Sequence, residues 1–373
     1  MNDLAPPPSL SRPPPFTAIE VVYPPEKGRI GLRGSHAPLS WQHTEAPLEI
    51  IGDRHLFRVE VPPGEVLDVK VVRNDDDWAA GRNYALHPGD HLRIEPSFDA
   101  HRSRLVAGQG IGDLTYDVLL PPSYDEQPRK RYPVLYALDG QSLWSSSSDP
   151  FGVWSLEQTL DELYDLGAIA ELVVVAIHTG ESRIDRLTPV PDPAHGGGMA
   201  TAFLERITGE LVPAIDGTYR TQTGRDATTI LGSSLGGLFA FFAAWSRPEV
   251  FGQAACLSSS FWWANRWPVR LVQARGAPDP RPTIYLDSGA ARDALDQNVN
   301  VRDGFHHTRS MFRALVEQGY VPGDDLHRLV FTGATHDAAS WSARSAIPLQ
   351  LLFPPEARRP RARILERVAA TIG

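Results

Sequence analysis

The chain has one cysteine, Cys256, in 373 residues. A single thiol finds no partner within the chain, which excludes a disulfide framework and fits a reducing compartment. Apolar runs are short. None approaches the roughly 20 residues a membrane-spanning helix needs, so no membrane partner is expected. Basic residues are outnumbered, 36 Lys and Arg against 45 Asp and Glu, for a formal net charge of −9. That balance argues against a nucleic-acid partner and obliges any anionic substrate to find a local basic pocket. Metal-binding patterns are missing too. No His-Glu-x-x-His segment occurs, and the adjacent His306 and His307 point to different sides of a helix, so neither a metal nor an organic cofactor is expected. The opening MNDLAPPPSLSRPPPF holds no apolar run of the kind a secretory leader carries, which makes a cytoplasmic location the expectation.

What is present divides the chain in three. Residues 1–25 are proline-rich and read as an extended arm. Residues 26–110 hold alternating segments such as HLFRVEVPP and LDVKVVRN, bounded by turn residues, and no helix-period stretch. A small antiparallel β-sandwich is expected there, with DAHRSRLVAGQGIG as a linker or hairpin at its end. Residues 111–373 change character. YPVLYALDG, LVVVAIH, ATTILG, QAACLS, PTIYLD and HRLVFTG are short apolar runs separated by helix-period segments. One such segment places Met199, Phe203, Leu204, Ile207, Leu211 and Ile215 on a single face, and another runs from about Asp303 to Gln318. Strand–helix alternation predicts an α/β fold, a doubly wound, mostly parallel sheet covered on both sides. Chemistry in such folds gathers in the loops beyond the carboxyl ends of the strands.

One of those loops carries TTILGSSLGG. Gly232-Ser233-Ser234-Leu235-Gly236 has the spacing of a strained strand-to-helix elbow, where only small neighbours allow the close approach that lifts a serine above the sheet. The register selects Ser234 over Ser233 as the nucleophile. The helix that follows aims its N-terminal dipole at the site, and the backbone N–H of Leu235 is placed to donate to an oxyanion. A second donor is expected from YALDGQSLW, at the N–H of Gln141 or of Ser142. The base is expected at His336, in the loop TGATHDAASW after the last strand; His306 and His307 fall within a helix, and His327 lies at the wrong end of its strand. For the orienting acid, Asp293 in the loop SGAARDA and Asp287 at the end of TIYLD both remain open, with Asp293 preferred.

Five blocks in order, LPPSYDEQPRKRYPVLYALDGQ, VVVAIHTGESRIDRLTP, ILGSSLGG, SSSFWW and GATHDAASW, resemble the esterase D or putative esterase family, and within it the catalytic domain of enterochelin esterases. The resemblance covers residues 113–353. It implies an α/β-hydrolase fold and a serine esterase acting on a small-molecule ester, with Ser234, His336 and Asp293 as its triad. It also sets Trp262 and Trp263 near a substrate cleft. An anionic siderophore would further need Arg183, Arg186 or Arg266 beside it. Ser259 stands where the family usually has glycine. The N-terminal region looks more like a glycogen-binding type sandwich, in which Trp41, Trp78 and Asn83 would meet sugar. An acyl or feruloyl sugar ester, acyl transfer, or a non-catalytic carbohydrate-binding role on the same fold are the competing expectations. TPVPDPAHGGG is a candidate lid.

Overall fold

The computed structural model describes residues 17–290 and 303–355. The first eight strands are β1 (Thr17–Val22), β2 (Ile30–Gly34), β3 (Glu49–Ile51), β4 (Arg54–Val59), β5 (Leu67–Arg73), β6 (Asp77–Trp78), β7 (Tyr84–Leu86) and β8 (His91–Ile94). They form two sheets. One has the order β3-β4-β1-β8; in the other, β2, β6 and β7 all pair with β5. Ile19, Val21, Leu32, Phe57, Val69 and Val71 come from both sheets and make one shared core, which is the packing of a sandwich. Thr17–Val22, expected within the proline-rich arm over residues 1–25, is a strand of this sandwich. Thr17–Val22 alternates buried and half-buried residues and pairs with β4 on one side and β8 on the other.

A second unit contains β9 (Arg104–Ile111), β10 (Leu114–Leu120), β11 (Val134–Leu138), β12 (Val173–Ile177), β13 (Thr228–Ser233), β14 (Gln253–Leu257), β15 (Thr283–Gly289) and β16 (Leu326–Phe331). Their order is β16-β15-β14-β13-β11-β12-β10-β9, with β11 to β16 parallel and β10 and β9 antiparallel. Residues 104–110, expected in the N-terminal domain, belong here. β9 is an edge strand with mostly exposed side chains, so it lacks the apolar signal of its neighbours. The central strands read as unbroken apolar runs because both faces are covered. In β12, Val173, Val175 and Ile177 enter one core while Val174 and Ala176 enter the other.

The helices are α1 (Leu156–Asp165), α2 (Arg183–Leu187), α3 (Ala200–Arg206), α4 (Val212–Thr218), α5 (Leu235–Ser246), α6 (Trp263–Arg275), α7 (Phe305–Glu317), α8 (Ala338–Arg344) and α9 (Ala346–Leu352). A π turn, Ile207–Leu211, joins α3 to α4. Phe203, Leu204, Ile207, Leu211 and Ile215 form the buried stripe; Met199, expected on it, precedes α3 and is exposed. α5 is buried on every side from Leu235 to Trp245, as its all-apolar sequence requires. Glu126 fastens the two units together: it accepts from Tyr23 Oη at 2.6 Å and from the backbone N–H groups of Phe98 and Asp99 at 2.8 and 3.0 Å. Among the described residues no helix is long and apolar enough to cross a membrane. The architecture is that of an α/β-hydrolase with a small N-terminal sheet domain.

Candidate active site

Ser234 occupies the turn between β13 and α5 with φ 56° and ψ −119°, a conformation an L-residue adopts only when its surroundings enforce it. Enforcement is steric. A Cβ at Gly232 would lie within the backbone of Gly236, and one at Gly237 would collide with Ser259 Oγ. The strand and helix can approach only with glycines there. Ser234 N–H donates to Leu257 O and Ser234 O accepts from Ser260 N–H, both at 3.0 Å, so the elbow is also tied to the end of β14. Leu235 is the first residue of α5, where a backbone N–H has no acceptor within the helix.

His336 stands in the loop between β16 and α8. Its Nε2 is 2.9 Å from Ser234 Oγ, and its Nδ1 is 2.7 Å from Asp303 Oδ1. A carboxylate accepting at Nδ1 makes Nε2 the acceptor that faces the serine hydroxyl. The Trp341 ring meets the imidazole edge-on at 5.1 Å.

The carboxylate that holds His336 is thus Asp303. Asp293, the preferred acid of the sequence reading, lies outside the described residues. Asp303 is fully buried, two residues ahead of α7, and also has positive φ, 43°. Its Oδ2 accepts from Ser258 Oγ at 2.6 Å and from Gly289 N–H. Asp287 engages Arg344 instead: its two oxygens accept from Arg344 Nε and Nη2 at 3.1 and 3.2 Å, with Tyr285 Oη and Ser258 N–H each at 3.1 Å. Burial raises the Asp287 carboxyl above its ordinary value, against the pull of Arg344.

The loop after β11 enters a short 3₁₀ turn, Gly140–Ser142. A Cβ at Gly140 would come within 2.6 Å of Ala176 O, so glycine lets this loop lie against β12. Asp139 precedes it with φ 57°. Arg183, expected beside an anionic substrate, meets this loop. Its Nε and Nη2 grip the two oxygens of Asp139 at 2.8 Å each, so its fork is filled by protein and braces the loop that carries Gln141. Arg186 is likewise spent on Asp113 at 3.1 Å. Arg266 has no carboxylate partner among the described residues.

The two tryptophans part company. Trp263 is buried and donates from Nε1 to Val190 O at 2.8 Å, a core role. Trp262 is 39% exposed, with the His195 ring 5.8 Å away. His195 comes from the TPVPDPAHGGG loop, which places that loop against the tryptophans.

Asp303, Ser258 and Arg344 escaped the sequence reading. From the sequence, Asp303 reads as the start of a helix. An Asp-Gly pair opening a helix beyond the carboxyl end of a strand was the available signal. Ser258 and Arg344 act only through contacts distant in sequence, and nothing local marks them.

Residues 111–345 match the family described as Putative esterase. The uncharacterized protein YbbA of Bacillus subtilis is 25% identical over 231 residues, 60% of this chain and 86% of that protein. The iron(III) enterobactin esterase of Dickeya dadantii is 26% identical over 71% of this chain, and the match spans 56% of its length. Among solved structures, a ferulic acid esterase superposes with a TM-score of 0.51 at 19% identity, covering 68% of this chain and 98% of that one, a likeness of fold. With the elbow, the histidine and the acid loop all inside the matched span, the chain belongs to the putative esterase family of ester-hydrolysing enzymes.

Proposed function

We propose that this protein is a serine carboxylesterase working through an acyl-enzyme on Ser234. The observation that carries the proposal is the hydrogen-bonded line Ser234 Oγ, His336, Asp303, at 2.9 and 2.7 Å. His336 Nε2 takes the hydroxyl proton as Ser234 attacks the ester carbonyl; Asp303 stabilises the imidazolium that results. The N–H groups of Leu235 and Gln141 receive the oxyanion. The imidazolium then returns its proton to the leaving alcohol. Water, activated by the same histidine, releases the acid.

For the substrate we propose an aromatic, anionic ester of the catecholate-siderophore class. Trp262 offers an exposed ring, and Arg266, four residues on, carries a charge that is left for a ligand once Arg183 and Arg186 are paired. A feruloyl-type sugar ester is the second reading. It is favoured by Trp41 and Trp78, whose rings lie 6.1 Å apart in the N-terminal domain with the Arg33 guanidinium over Trp78 at 5.2 Å. Cytoplasmic placement belongs to the same proposal, in keeping with a single buried thiol.

The test is hydrolysis of p-nitrophenyl esters of graded chain length by wild type and Ser234→Ala, alongside ferric and iron-free enterobactin. Loss of activity in the variant, with faster cleavage of the trilactone than of simple esters, supports both parts. Activity that survives Ser234→Ala refutes the mechanism. Preference for feruloyl sugars over the trilactone transfers the substrate assignment to the second reading.

A further inference from the structure

Arg344 closes α8 with its side chain 3% exposed, and its guanidinium spans two carboxylates that are both fully buried. Nε and Nη2 hold Asp287 at 3.1 and 3.2 Å. Nη2 also lies 3.3 Å from Asp303 Oδ2 and donates to Ser258 Oγ. Ser258 is shared between the acids: its N–H donates to Asp287 Oδ1 at 3.1 Å and its hydroxyl to Asp303 Oδ2 at 2.6 Å. One connected path, Asp287, Arg344, Asp303, His336, Ser234, therefore leads from the core to the elbow.

The charges matter because Asp287, Asp303 and Arg344 are shut away from solvent. Two neighbouring buried carboxylates without a cation would both act in full on the nearby imidazolium and hold its proton more tightly. The guanidinium offsets part of that pull. Arg344 without Asp287 would be an uncompensated buried cation and would draw on Asp303 alone. We propose that Arg344 is a positioning residue: anchored by Asp287, its guanidinium holds Asp303 with Oδ1 turned to His336, and the Arg344–Asp287 pair sets the pH at which His336 gives up its proton. The inference rests on the hydrolytic role assigned to Ser234 and His336. The other titratable or charged groups around the path include Tyr285 on β15, Cys256 on β14, whose thiol feels the charge of Asp287, Asp337 beside His336, and His306 and His307 in the first turn of α7, the latter reached by the charge of Arg266.

The experiment pairs the pH profile of kcat/KM on a p-nitrophenyl ester with an NMR titration of the His336 ring, both in the full chain. Arg344→Met is expected to move the acid midpoint up by about one pH unit and to lower kcat more than it changes KM. Asp287→Asn is expected to move the midpoint down by a similar amount, and the double variant to bring it back near wild type. Arg344→Lys keeps the charge but loses the fork; its midpoint stays near wild type while kcat remains reduced. A purely structural role would not produce opposite shifts. Shifts of the same sign, or an unmoved midpoint in Asp287→Asn, overturn the proposal. Should Arg344→Met fail to fold, Asp287→Asn and Arg344→Lys decide the matter. The NMR titration reads His336 whether or not esters are cleaved, so activity surviving Ser234→Ala would sink the hydrolytic reading and still leave Arg344 judged on its own result.

Discussion

Ser234 and Asp303 flank the same imidazole and are held there by opposite means. Around Ser234 the constraint is volume: the glycines at 232 and 237 leave no room for a single added carbon, and the backbone itself makes the bonds. Around Asp303 the constraint is charge and hydrogen bonding: Ser258, Gly289, Arg344 and His336 all converge on one carboxylate. Both residues, with Asp139 and Ser258, hold positive φ, so the site carries backbone strain that its surroundings must sustain. The serine side should therefore fail when atoms are added, and the acid side when charge is removed without a change in size.

The largest expected effect is on the acid side. Asp303→Asn is nearly isosteric, yet its neutral amide carries no charge to stabilise the imidazolium and can donate to Nδ1, which favours the wrong tautomer, and kcat should fall about 10³–10⁴-fold with the fold intact. Steady-state kinetics with circular dichroism on the same sample checks this, and a loss under ten-fold would mean the acid side is not held by charge. Gly232→Ala is the matching break on the serine side. Added volume against the Gly236 backbone should cost several kcal/mol of stability, read as a lowered denaturant midpoint.

How much of this was readable beforehand follows the same division. Ser234 was legible because ten consecutive residues encode both the strand and the steric need for glycine. His336 was legible because the loop after the last strand was the place for a base. The carboxylate that meets His336 was not: Asp303 resembles a helix start, and its contact with His336 joins residues far apart in sequence. Arg183 misled for a related reason. A cation near a cleft is a ligand for substrate only if the protein leaves it unpaired, and Asp139 does not.

Two smaller effects sharpen the comparison. Asp337 caps α8, accepting from Ser340 N–H at 2.8 Å and from Thr335, and these bonds hold its carboxyl below the ordinary value. Asp337→Ala should cost about 1 kcal/mol near neutral pH. The folded-state value is the depressed one, so this stabilisation is complete above the ordinary carboxylate range and disappears as pH falls through the lower value. Thermal melts from neutral to acid pH should accordingly show the two proteins converging; a gap that stays constant would assign the loss to something other than the charged cap. Smallest is Ser259→Ala. The Ser259 hydroxyl is buried without a hydrogen-bond partner among the described residues and faces Gly237, so its removal should leave stability unchanged or raise it by up to about 1 kcal/mol. A clear drop in melting temperature would show that this hydroxyl has a partner after all.

The sequence by itself determined the alternation that lays down a parallel sheet, the elbow that lifts Ser234 above it, and the loop from which His336 reaches back. These depend on periodicity and on the size of neighbouring residues, which are local quantities. Only the tertiary structure decided which carboxylate faces the imidazole, which arginine is already spent, and which of two adjacent tryptophans reaches the surface. Those outcomes depend on pairing between side chains far apart in the chain: a buried charge takes whichever partner the fold brings within reach, and sequence separation carries no information about that distance.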